Sequence, residues 1–79
     1  MLRGEVEPII LMTELIKQKK ELEKILSKYG VKEPEEIERK IERGEIPEHP
    51  SYEDFLSALA FKQNIAELKK SIEKFLREI

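Results

Sequence analysis

The sequence predicts an all-α protein: a long helix, a short connecting helix and a second long helix, folded as an antiparallel helical hairpin that dimerises into a four-helix bundle. Three observations carry this expectation. Apolar residues recur at spacings of three and four over two long stretches, which keeps them on one face of a helix. Gly30 and Gly44 stand where helical patterns stop, the position at which glycine ends a helix. The apolar residues at the start of each long stretch spread wider than one stripe, so a hairpin alone leaves some of them uncovered.

In the first stretch Leu11, Leu15, Leu22, Ile25 and Tyr29 form the stripe, with Gln18 in its one gap. A helix over about residues 6–29 follows, with Gly30 taking the left-handed conformation and Val31 placed to touch Leu26 in a Schellman-type cap. Gln18 holds an inward position, and counting back from the connection sets it near Gln63, Asn64 or Ile65 of the returning helix. Pro34 suits the first position of a second helix over 34–43, with Glu35 and Glu36 at its positive end and Arg39, Lys40 and Arg43 at its negative end. Ile37 and Ile41 are its only inward face.

From Gly44 to Ser51 two prolines force extended backbone before them, giving a stiff crossing. Ser51 then reads as an N-cap, with Asp54 as a short-armed capping-box partner and Pro50 and Phe55 at the staple positions. The third helix is expected over 52–78, its seam running through Ala58, Phe61, Ile65, Leu68, Ile72 and Phe75 to Ile79 like a coiled coil. Residues 1–79 form one domain, since 79 residues fill no second core.

A core this small rarely yields more than about 3–5 kcal/mol without a staple or a partner chain. Cysteine is absent, which removes disulfides and thiolate catalysis. Sixteen Glu against one Asp, eleven Lys against four Arg and only three amides make up the composition of a thermophile, where ion-pair networks are favoured. The net charge of −2 comes from mixed signs along the whole chain, so no field steers nucleic acid. No apolar run exceeds four residues and no signal pattern opens the chain, so no membrane span is expected and a cytoplasmic location is.

Candidate chemistry is sparse. His49, the single histidine, stands near Glu45, Glu48, Tyr52 and Asp54; a zinc site needs more His or Cys ligands, and bundle iron needs paired Glu-x-x-His. The expectation is therefore a solvent-facing loop residue and no metal. Three glycines supply no phosphate-binding loop, and no serine has a histidine partner. Lys17, Lys20, Lys24 and Lys28 follow one side of the first helix, interrupted by Glu14, Glu21 and Glu23 and without interleaved aromatics, which disfavours nucleic acid. The intertwined helical chorismate mutases share the long-short-long plan, but their cationic pocket needs basic residues where this chain has Leu11, Leu15, Gln18, Leu22 and Ile25 facing Phe61, Ile65 and Leu68. No enzyme activity, cofactor or small-molecule substrate is expected.

The segment from Tyr29 to Ile65, with "YG", "IERGEIPEHPSYEDFLSALAF" and "NI", resembles small helical proteins of archaea from uncharacterised families, some of them antitoxin-like. The resemblance spans about half the chain and rests on a Gly-Glu-Ile-Pro turn followed by an aromatic-rich helix start. For an antitoxin-like member it implies a toxin partner bound by an exposed helical surface, although this chain has no recognisable DNA-binding module or disordered tail. No functional residue carries over. The sequence thus points to a structural or interaction protein, a homodimer that binds another macromolecule, with an antitoxin-like or nucleic-acid-associated regulator as the alternative. The residues expected at the interface are Ile9, Met12, Ile16, Tyr52, Leu56 and Leu59.

Overall fold

A computed structural model describes the backbone of residues 2–78 and the side chains of residues 8–78. All of its regular structure is helical: α1 (Leu2–Tyr29), α2 (Pro34–Glu42) and α3 (Glu48–Glu78). The helix expected from residue 6 begins at Leu2 and carries Pro8 inside it. Proline has no N–H, so one carbonyl in the turn before it goes without its helical donor.

The end of α1 is a complete Schellman motif. Gly30 has φ of +64°, its N–H donates to the Ser27 carbonyl at 3.1 Å, and the Val31 N–H reaches back to the Leu26 carbonyl at 3.0 Å. α2 ends the same way one residue beyond its Arg43 cap: Gly44 at +72° donates to Ile41 and Glu45 donates to Lys40. These bonds satisfy carbonyls that the helix ends would otherwise leave open. At the start of α2, Glu33 is extended, as a residue before proline must be. The Glu36 carboxylate turns back to accept the N–H groups of Lys32 and Glu33 at 2.9 and 2.8 Å.

The start of α3 departs from the expected cap. Ser51 is helical and almost fully buried, while the extended residue is His49, with φ of −111° and ψ of 131°. Pro50, joined to His49 by a cis peptide bond, therefore opens the continuous part of the helix, the place where a missing N–H costs nothing. Asp54 is not a capping-box partner: its carboxylate is taken by Lys28 and Tyr29 at the end of α1.

α1 and α3 run antiparallel. Gln18 meets Asn64 and Lys28 meets Asp54, so ten residues along α1 match ten along α3 in reverse. Gln18 is half-buried in the seam, as its place in the stripe requires, accepting from Asn64 Nδ2 at 3.3 Å and donating to Glu14 at 2.8 Å. α2 packs mainly on α3, with Lys62 of α3 reaching Glu33 at 2.9 Å and Glu35 at 3.7 Å. Its fully buried residues are Pro34 and Ile37, and Ile41 is half-buried. The far end of the expected seam, Ile79, lies outside the described residues.

Two substitutions test this frame. Gly30→Ala meets no neighbour within 4 Å of the added carbon, so its cost is backbone strain alone, about 1 kcal/mol by denaturant unfolding. Gln18→Leu removes a polar layer that holds register at some expense of stability; a higher Tm or an altered oligomer is expected, and a variant matching wild type in both rejects the role.

Candidate interaction surface

Burial divides the hairpin in two. At the closed end, where α1 hands over to α2 and α3 begins, Leu26, Pro34, Ile37, Ser51, Phe55 and Ala58 are buried, and Ile65 near the middle is the last residue to be so. At the open end, where α1 starts and α3 finishes, none of the described seam residues is buried: Leu11, Leu15, Leu68, Ile72 and Phe75 keep part of their surface in solvent, as Leu22, Ile25 and Phe61 also do on the closed side. The cause is the length of α2. Nine residues span about 13 Å, against about 42 Å for α1 and about 46 Å for α3. Beyond the reach of α2 there are two helices and no third, and two helices cannot enclose the residues between them.

Side chains outside the seam sharpen the contrast. Ile9 (65% exposed), Ile10 (58%), Met12, Ile16 and Leu76 (65%) project into solvent at the open half, while the closed half exposes Tyr52 and Leu56. Leu59, expected with them, is half-buried. The six expected residues form two groups: Ile9, Met12 and Ile16 on α1, and Tyr52, Leu56 and Leu59 on α3. By the register above, Met12 lies level with Lys70 and Tyr52 level with Gly30, which puts these two residues about 27 Å apart along the bundle at 1.5 Å per residue. Ile10 and Leu76 were not among the expected residues. Leu76 stands one residue beyond Phe75, which the alternation of three and four places in the seam, so it lies about 100° round the helix from that residue and is bare.

Along one side of the seam runs an open groove of about 300 Å³ lined by Glu14, Gln18, Asn64, Glu67, Leu68 and Ser71. It continues past Leu11, Ser71, Lys74, Phe75 and Glu78. Apolar seam residues and polar edges share this lining, as expected of a core lacking its cover.

The closed end is tied by charge. Asp54 accepts from Lys28 Nζ at 2.8 Å and from the Tyr29 hydroxyl, and Lys28 also lies 5.4 Å from the Tyr29 ring centre. The Lys28 bond first, and the Tyr29 bond second, hold the Asp54 carboxyl below the usual range, and Asp54 in turn raises Lys28. Lysines 17, 20, 24 and 28 thus do not act as one free track: Lys28 is engaged by Asp54, and Lys24 lies 3.8 Å from Glu21. His49 is exposed, with Glu53 2.8 Å from its Nδ1. Among the described residues no group of three or more His, Cys, Asp or Glu is placed to hold a metal ion, and no helix is long and apolar enough to cross a membrane.

The fold and its uncovered half define a class: small all-α hairpin proteins with an accessible apolar seam. Within it, the chain belongs to the Uncharacterized protein MJ0235 family, whose sequence pattern matches residues 8–79. That match agrees with the resemblance to uncharacterised archaeal proteins and says nothing of an antitoxin. No curated protein and no solved structure matches the chain.

The Asp54 cluster carries a pH prediction. A carboxyl depressed in the folded state stabilises above its unfolded pKa, about 3.9, and loses that contribution as pH falls through its folded value. Asp54→Asn should therefore melt below wild type at pH 7, and the gap should close on acidification below about pH 4. A gap that stays constant from pH 7 to pH 2 excludes the ionised Asp54 as its source.

Proposed function

We propose that this protein is a helical interaction module, a homodimer whose bundle presents surface to a further macromolecule. The observation that carries the reading is the half-covered core: a chain able to bury Ile37 and Ala58 completely leaves Ile9, Ile10, Met12, Ile16 and Leu76 in water. Fully burying one large aliphatic side chain is worth roughly 1.5–3 kcal/mol. Covering the exposed parts of five such residues in each of two copies gains roughly 10 kcal/mol, which is of the order of the cost of association, roughly 4–15 kcal/mol.

The second group, Tyr52, Leu56 and Leu59, suits the further partner: an aromatic ring with a hydroxyl beside aliphatic side chains is the composition of a protein contact. The competing reading, an antitoxin-like or nucleic-acid-associated regulator, draws on Lys17, Lys20, Lys24 and Lys28, and the pairing of Lys24 and Lys28 with acidic groups weakens it.

Sedimentation tests the reading. A single dimeric species at micromolar concentration, with a Tm that rises with protein concentration, is expected from mass action. Met12→Glu, at an exposed position where the monomer tolerates a charge, should weaken dimerisation at least tenfold, about 1.4 kcal/mol. A wild-type chain that stays monomeric up to high micromolar concentration rejects the homodimer.

A further inference from the structure

We infer that the second copy meets the first through the open halves alone, α1 against α1 in antiparallel register about a two-fold axis at Met12, which leaves the two α2 ends at opposite tips of an elongated dimer. The inference rests on the self-association proposed above and specifies its geometry.

The stripe itself supplies the symmetry. Ile9, Met12 and Ile16 are spaced by three and four, so they line up along one face of α1. Turned about a two-fold axis at Met12, the stripe nearly superposes on itself, with Met12 opposite Met12 and Ile9 within one residue's rise, about 1.5 Å, of Ile16. An isologous interface requires this self-complementarity, and methionine at its centre adapts to a copy of itself.

Charge agrees with this placement. From Pro8 to Ile16 the only ionisable side chain is Glu14, which is half-buried and accepts the Gln18 amide at 2.8 Å. Two copies of this segment therefore meet without opposing like charges. The alternative, open half on closed half, would bring the segment against Tyr52 and Leu56, where only two exposed large apolar residues await its four and where Glu45, Glu48 and Glu53 are exposed. Burial is better matched when open half covers open half.

The chain contains no cysteine, so single-cysteine variants read the geometry directly. Packed helices approach to about 8–10 Å between axes, which brings facing Cα atoms within the reach of a disulfide, about 4–7 Å. Under mild oxidation, Met12→Cys should form a covalent dimer at least tenfold faster than Leu56→Cys. Ile9→Cys mixed with Ile16→Cys should cross-link faster than either alone. In small-angle scattering the wild-type dimer should extend about 75 Å, because overlap of the open halves leaves both closed ends protruding from hairpins 54 Å long. A dimer near 55 Å long in which Met12→Cys bridges Leu56→Cys in preference to itself overturns the inference while preserving self-association. So does a dimer in which neither the Met12 pair nor the Ile9 and Ile16 pair cross-links. A chain that sediments as a monomer overturns both the inference and the reading beneath it.

Discussion

Ile37 has no surface left in solvent, although the helix that carries it is only nine residues long. That helix is otherwise mostly charged, and two caps hold it in place: the Glu36 carboxylate over the Lys32 and Glu33 amides at one end and the Gly44 motif at the other. Lys62 fastens it to α3 through Glu33 and Glu35. The rest of the molecule depends on how far this short element reaches. Where it lies, three helices enclose a core; where it stops, two helices run on side by side with their seam open.

A two-helix seam is a poor enclosure because each inward side chain is screened only by residues one turn away and by those directly opposite. Hence Leu11, Leu15, Leu68, Ile72 and Phe75 obey the seam spacing and still remain half-covered. The polar layer at Gln18 and Asn64 sits near the boundary between the halves. An amide pair costs less there than in a closed core, since its remaining hydrogen-bonding capacity can be met by water.

Electrostatics follows the same division. The long-range ion pairs join elements at the closed half: Lys28 with Asp54, and Lys62 with Glu33 and Glu35. They are partly exposed, and pairs of that kind contribute little each, so their effect is to orient helix ends whose positions apolar packing already determines. The segment of α1 from Pro8 to Ile16 carries a single charge in a chain of which 41% is charged. Such a segment, exposed on the outer side of a hairpin, gives the molecule one end suited to pairing and one end already closed.

Much of this was legible in the residues. Alternating three and four spacing identifies the helices because a 3.6-residue turn leaves no other way to keep those side chains on one face. Glycine at 30 and 44 marks their ends because only glycine takes a positive φ without strain, and counting from the turn sets Gln18 near Gln63, Asn64 or Ile65, of which the structure brings Asn64 to it. Other features were decided by the tertiary structure. Asp54 stands three residues after a serine, which is local capping grammar, but the arrival of Lys28 and Tyr29 from a helix 25 residues away turned it into a tie. Ile65 and Leu68 share the seam spacing, yet packing buries Ile65 and leaves Leu68 half-covered. Periodicity is a property of a single helix and is carried by its own residues. Cover is a property of neighbours, and which of them reach a given side chain is settled only when the elements pack.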